Sequence, residues 1–179
     1  MKWRYKKTAL KMLHDSGMKP IPDNKVSSMH RLKLNWILDE CKPLISPHAL
    51  VLNTRPALIY AYVYDMKDQP DNCTEWIGVR HTEYIPDGHF ISTIGMSTMV
   101  LDCSHETAAE TFLHELAHTK TPPTAKSHGD TFYEHLSSLI VKYNALTGRS
   151  IKDVTKDPEY RAVQHDGYRV DGTDIYINC

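Results

Sequence analysis

The sequence predicts an α+β fold in which a small, mostly antiparallel sheet packs against helices. Three observations support this class. Helical spacing of apolar residues marks 3–16 and 27–41, β-branched and aromatic runs fill 50–102, and helical spacing returns over 104–148. The chain has 179 residues, 41% of them hydrophobic. It is long enough to bury one sizeable core and too short to favour two. We therefore expect a single domain spanning 1–179.

Residues 1–50 are expected to form a basic helical segment. The apolar positions that mark its two helices are Leu10, Leu13, Met29, Leu32, Trp36 and Ile37. Pro43 and Pro47 are expected to end the second helix. Residues 1–35 hold nine Lys or Arg against two Asp, a net charge of +7 in a chain of net charge -1. Such a segment either binds nucleic acid or an acidic partner, or is a solvated helix face near acidic residues of its own chain.

Residues 50–102 are expected to form the sheet. The runs that read as strands are 58–64, 75–84 and 90–102, with turns at 68–72 and 86–88. The stretch Ile94 to Val100 either binds an extended substrate along an open edge or is an ordinary strand.

Two helices are expected over residues 104–148. Ser104 is a plausible N-cap of the first, which Pro122 and Pro123 follow, and Gly148 is expected to end the second. The apolar series of the second helix is Phe132, Leu136, Leu139, Ile140 and Tyr143. The tail, 149–179, is mostly polar and ends in a candidate hairpin with Asp171-Gly172 at its turn.

Cysteine usage and hydropathy bear on the compartment. The four cysteines, of which Cys41 and Cys103 bracket the expected sheet, form no Cys-x-x-Cys pair, which favours reduced thiols. The N-terminal residues lack the apolar run of a signal peptide, and no window approaches the roughly 18 apolar residues of a membrane span. We therefore expect a cytoplasmic protein that does not insert into membranes.

The segment His114-Glu115-Leu116-Ala117-His118 matches the pattern HExxH on an expected helix. Residues four apart lie on one helix face, so both imidazoles can bind a single Zn²⁺. Glu115 lies beside the metal without ideal geometry for ligation, which is where a general base for a metal-activated water has to be. Because neutral imidazoles suit zinc, we expect Zn²⁺ as the cofactor.

A catalytic zinc takes three protein ligands and keeps a position for water. A third His six positions after His118 is excluded because Thr124 occupies that place. His128 is the expected third ligand, since the proline-containing loop lets the chain turn back towards the first helix. Its alternatives are Glu134, Asp130 and His135.

Together with Ser127-His128-Gly129-Asp130-Thr131-Phe132, the HExxH segment resembles the SprT-like and WLM-type group of compact zincin metallopeptidases. Their shared pattern is HExxH, a variable loop, then HG or H followed shortly by an aromatic residue. The stretch Ile94 to Asp102 resembles the edge strand that borders their cleft. The resemblance covers about residues 90–140, although the usual Trp after HG and a Cys-rich zinc ribbon are missing. It implies a zincin-like fold and metallopeptidase activity on a protein or peptide substrate.

Other functions are compatible with the same residues. A nucleic-acid-associated protein would use its basic N-terminal segment as a tether, and a structural protein would close the zinc site with a fourth ligand such as Asp130 or His105. Tyr133 is a candidate for stabilising the oxyanion, although packing is the commoner role of a tyrosine at such a position. Cys103 is either a thiol ligand or a buried apolar residue.

Overall fold

The architecture comes from a computed structural model, which describes residues 3–45, 57–69, 78–84, 90–120, 128–158 and 160–161. It mixes helices and strands, as expected for an α+β chain. The helices are α1 (Trp3–Asp15), α2 (Ser28–Ile45), α3 (Thr98–Asp102), α4 (His105–Lys120) and α5 (Asp130–Thr147), and the strands are β1 (Ala57–Tyr64), β2 (Gly78–Tyr84) and β3 (Phe90–Ser97). Short 3₁₀ turns occupy Met66–Asp68 and Val154–Lys156. The candidate hairpin of the tail lies outside the described residues.

The three described strands form one sheet in the order β1-β3-β2. β3 pairs parallel with β1, from Ala57 opposite Phe90 to Tyr64 opposite Ser97. It pairs antiparallel with β2. One of the two described pairings is parallel, so the expectation of a mostly antiparallel sheet is wrong. Alternation within a strand reports its faces but not its neighbours.

α1 covers one face of the sheet. Leu13 packs with Tyr62 and Tyr64 in one buried cluster, and Ala9 and Met12 pack with Ile91 in another. These β1 and β3 residues alternate along their strands, so they share a face. At the point where Tyr62 opposes Gly95, a Cβ on residue 95 would lie 2.6 Å from Cζ of the tyrosine ring, which explains the glycine.

The larger core lies on the opposite face, between the sheet and α2, α4 and α5. Val63, Ile94 and Met96 point into it from β1 and β3. The apolar series expected for α5 is confirmed, since all of the following residues are buried: Phe132, Leu136, Leu139, Ile140 and Tyr143. Gly148 ends this helix with a φ of 71°, the left-handed conformation that favours glycine.

α2 forms where the sequence predicts a helix, but its buried face and its end differ. The buried positions are Leu34, Ile37, Cys41 and Leu44. Met29, Leu32 and Trp36, expected to be apolar packing positions, are 66%, 69% and 52% exposed. Pro43 lies inside the helix, which continues to Ile45.

The third expected strand ends earlier than its apolar run. β3 stops at Ser97, whose hydroxyl accepts a hydrogen bond from the backbone N–H of Val100 and so caps α3. β3 is also the central strand of the described sheet. The interpretation of Ile94 to Val100 as an open edge is therefore wrong.

A polar network joins α2, α4 and α5 at the end of the core far from the HExxH segment. The carboxylate of Glu40 accepts hydrogen bonds from the Tyr143 hydroxyl, from Nε2 of His105 at 2.7 Å and from Nη2 of Arg149 at 2.9 Å. The ring of Trp36 lies against it, 5.0 Å from the Arg149 guanidinium. Burial favours the neutral acid, but the hydrogen bonds from Arg149, Tyr143 and His105 outweigh it and lower the pKa of Glu40.

Because the pKa of Glu40 is lower in the folded chain, its contribution to stability is present above the unfolded pKa and is lost as pH falls through the folded one. We expect Glu40→Gln to lower the free energy of unfolding by about 2 kcal/mol at pH 7. The loss should shrink towards zero in acid, where Glu40 is itself neutral. Urea unfolding from pH 7 to pH 3 measures both values. Asp39→Asn, at the exposed neighbouring position, is the control, and equal losses at every pH would contradict the assignment.

The cysteines differ from expectation. Cys103 is disulfide-bonded, so the expectation of reduced thiols is wrong there. Cys41 is free and buried, and burial, followed by the charge of Glu40, raises the pKa of its thiol to about 12. Disulfides are more usual in oxidising compartments, so the cysteines do not support a cytoplasmic location. Within the described residues, no helix combines the length and apolar character needed to cross a bilayer.

Candidate metal centre

α4 carries the first two expected ligands. The hydroxyl of Ser104 accepts a hydrogen bond from the backbone N–H of Thr107 at 3.0 Å, which confirms the predicted N-cap. The apolar face of the helix is anchored in the core by residues that are fully buried: Ala108, Ala109, Phe112, Leu113, Leu116 and Ala117. His114 and His118 stand one turn apart beside this face and are partly buried, with ring centroids 5.0 Å apart.

His128 completes the group from the turn before α5. Its ring centroid lies 5.2 Å from that of His114 and 4.8 Å from that of His118. The Nε2 atom of His114 is 3.3 Å from Nε2 of His118 and 3.2 Å from Nε2 of His128. The same nitrogen of each ring therefore points to one place.

The spacing of these nitrogens fits a single metal ion. The ligand atoms of the three histidines lie within 4.8 Å of one another. Two nitrogens bound at 2.0–2.1 Å to a tetrahedral zinc are about 3.3 Å apart, close to the two measured separations. The residues present thus suit an imidazole-ligated divalent cation, as the sequence predicts for His114, His118 and His128.

Phe132, on the first turn of α5, supports all three rings from one side. It is fully buried, and its ring centroid lies 4.9 Å from that of His114, 4.4 Å from that of His118 and 4.8 Å from that of His128. The contact with His118 is stacked and the one with His128 is perpendicular. An apolar ring at this point restricts the imidazole rotamers and keeps water from that side of the cluster.

Burial keeps the first ligand in its metal-binding form. It lowers the pKa of His114 to about 3, with a smaller contribution from His128, so this imidazole is neutral at pH 7. Nδ1 of His114 lies 2.9 Å from the hydroxyl of Tyr160. Burial raises the pKa of Tyr160, as do the charges of Glu110, Tyr133 and Glu115, so the phenol stays protonated.

Glu115, the expected general base, is 8% exposed and follows the first ligand on α4. Glu115 is therefore a buried carboxylate next in sequence to the first ligand. Its charge is close enough to Tyr160 to raise the pKa of that phenol. One turn before His114, burial also raises the pKa of Glu110, with Lys152 opposing. The charges of two acidic side chains of α4 therefore both raise the pKa of the Tyr160 phenol.

The alternative ligands do not join the three histidines among the described residues. Glu134 is exposed, and Asp130 is 92% exposed and lies 3.5 Å from Nη1 of Arg161. His135 is partly buried on α5 outside the group. His105 contacts Glu40 at the far end of α4.

Tyr133 occupies a packing position. It is 2% exposed, and its hydroxyl donates to the backbone carbonyl of Arg161 at 3.4 Å. The Arg161 guanidinium lies 4.6 Å from the centre of its ring. The sequence did not identify Tyr160, whose hydroxyl contacts His114, as a residue of the site. Tyr160 lies in the polar tail, where no spacing or motif marks it.

None of the protein families, curated proteins or solved structures compared with the chain matches it.

Proposed function

We propose that this chain is a zinc-dependent metallopeptidase of zincin-like fold, related to the SprT-like and WLM-type group. The observation that carries the proposal is the convergence of three Nε2 atoms, from His114, His118 and His128. The buried Glu115 follows the first of these ligands in the sequence. Three imidazoles with a fourth position for water are the usual ligand set of a hydrolytic zinc, and HExxH supplies its base.

The residues divide the reaction between them. When bound, zinc lowers the pKa of a coordinated water from about 15.7 towards 7 and polarises a carbonyl oxygen. Glu115 would take a proton from the water as its oxygen bonds to the peptide carbonyl carbon, and would pass that proton to the amine nitrogen as the C–N bond breaks. His114, His118 and His128 would hold the metal, and the ring of Phe132 packs against all three of their rings.

An extended peptide is the substrate class that suits the sheet. Among the described strands, β2 and β1 are the edges, and α4 contacts β2 as well as β3. A peptide added to β2 would run alongside the helix that bears HExxH, with main-chain hydrogen bonds supplying affinity. β2 thus replaces Ile94 to Val100 as the proposed substrate edge.

A closed structural zinc site is the weaker reading. Such a site needs a fourth protein ligand, and no fourth His, Cys, Asp or Glu joins the group in the part of the chain that the structure describes. A tether to nucleic acid or an acidic partner through the basic segment 1–35 is compatible with either reading. The exposed positions of Lys7 and Lys11 on α1 are consistent with such a contact.

Metal removal and reconstitution test the proposal. We expect purified protein to cleave an unfolded, fluorescently labelled protein, to lose this activity after dialysis against a chelator, and to regain it with one equivalent of Zn²⁺. Fluorescence release measures cleavage, and metal analysis measures occupancy. Cleavage that survives complete metal removal, or zinc-loaded protein that cleaves nothing, would contradict the proposal.

A further inference from the structure

The ring of His114 is contacted on two opposite sides. Its Nε2 atom faces His118 and His128 at 3.3 and 3.2 Å, whereas its Nδ1 atom lies 2.9 Å from the hydroxyl of Tyr160. The two nitrogens of an imidazole are distinct, and the hydrogen bond of one determines which is left to bind a metal. The phenol therefore contacts the side of the ring that faces away from the other two ligands.

The neighbouring residue holds Tyr160 in place independently of His114. Nε of Arg161 donates to the backbone carbonyl of Thr155 at 2.6 Å, and its guanidinium lies 4.6 Å from the centre of the Tyr133 ring. These contacts fasten the segment after the Val154–Lys156 turn to the first turns of α5, next to the metal centre. The contacts of Arg161 therefore fix the backbone next to Tyr160 and position its phenol against His114.

We propose that Tyr160 is a positioning residue of the metal centre. Its hydroxyl oxygen accepts a hydrogen bond from Nδ1–H of His114 and so selects the tautomer whose Nε2 lone pair binds the metal. The inference rests on the metal site of the proposed function and not on the peptidase reaction. Outer partners of this kind orient the ligand ring and raise its basicity, and their loss typically weakens metal binding about 10- to 100-fold.

The variant Tyr160→Phe removes only the hydroxyl. We expect its affinity for Zn²⁺, measured by competition with a chromophoric chelator at pH 7, to be about 10- to 100-fold weaker than that of the unchanged protein. Tyr133→Phe is the matched control, because it removes a hydroxyl from a ring 6.4 Å away and keeps the ring against which the Arg161 guanidinium packs. Its zinc affinity should stay unchanged.

A spectroscopic readout separates positioning from general damage. In ¹⁵N-detected NMR spectra of the zinc-loaded protein, Nδ1–H of His114 should exchange slowly with water in the unchanged chain and in Tyr133→Phe. It should exchange faster in Tyr160→Phe. Equal zinc affinity and equal exchange in all three proteins would overturn the inference. If Tyr160→Phe does not fold, the spectrum of the unchanged chain decides, since a His114 protonated at Nε2 would overturn it.

The outcomes also distinguish this inference from the proposed function. Zinc binding that weakens in Tyr160→Phe, in a protein that cleaves no peptide, would support the role of Tyr160 and contradict the peptidase. If the protein cleaves peptides with zinc bound and Tyr160→Phe binds zinc as tightly as the unchanged chain, the peptidase is supported and the role of Tyr160 is contradicted.

Discussion

Glu115→Gln is expected to lower the turnover number for peptide cleavage by about 10²- to 10⁴-fold while leaving zinc content and folding unchanged. Gln has almost the shape of Glu, so the buried place beside the first ligand stays filled. It has no basic oxygen to take a proton from the attacking water. Turnover with a labelled unfolded protein, zinc per chain and the circular dichroism spectrum measure the three quantities.

Glu134→Gln is the control for this experiment. Glu134 is an exposed glutamate of α5, two residues after Phe132, and the sequence alone allows it as a ligand. We expect this variant to keep full activity and full zinc content. Equal activity of the Glu115 and Glu134 variants would contradict general-base catalysis by Glu115. Loss of zinc from Glu115→Gln would show that the carboxylate is part of the metal site itself.

His128→Ala is expected to weaken Zn²⁺ binding by more than about 100-fold. Loss of a residue that only hydrogen-bonds a metal ligand typically weakens binding about 10- to 100-fold, and His128 is itself an expected ligand. The change removes one of three converging nitrogens, so two imidazoles on α4 are left to hold the ion. A metal ion that binds only the folded chain stabilises it against unfolding, by about 2.7 kcal/mol when the free ion concentration is one hundred times Kd. Added zinc should therefore raise the melting temperature of the unchanged protein and leave that of His128→Ala nearly unmoved.

His135→Ala provides the comparison for His128→Ala. Both histidines follow the HExxH helix and both are partly buried, but only His128 belongs to the group of three. Zinc should raise the melting temperature of His135→Ala as it does that of the unchanged chain. A zinc response that depends on His135 and not on His128 would assign the third ligand to α5.

The helices could be predicted from periodicity, but their buried faces could not always be. α5 is amphipathic in a single register, and its expected core residues are all buried. α2 carries apolar residues on more than one face, and three of them, Met29, Leu32 and Trp36, are exposed. Burial of Cys41 and Leu44 depends on where α4 and α5 lie, which is information that local spacing does not contain.

The sheet shows a related limit. The strands were predictable from their β-branched and aromatic residues, whereas the order β1-β3-β2 depends on contacts between distant segments. The apolar run after Phe90 also conceals the change from strand to helix at Ser97, where a hydroxyl caps α3. The pairing direction could not be predicted because it depends on tertiary contacts. The end of β3 could not be predicted because it depends on the Ser97 cap.

The residues of the candidate centre also differ in whether local sequence spacing could identify them. His114, Glu115 and His118 lie four residues apart or less on one helix, so spacing was sufficient to find them. His128 could be inferred because zinc chemistry demands a third ligand near the same place. Tyr160 could not, because its contact with His114 spans 46 residues and depends on tertiary packing, which local spacing does not report.

The coordination of zinc in the loaded protein tests the account most directly. We expect a crystal structure, or X-ray absorption spectra, to show three imidazole nitrogens at about 2.0–2.1 Å and one oxygen from water. A fourth protein ligand in place of the water, or the rings of His114, His118 and His128 turned away from a shared ion, would contradict it.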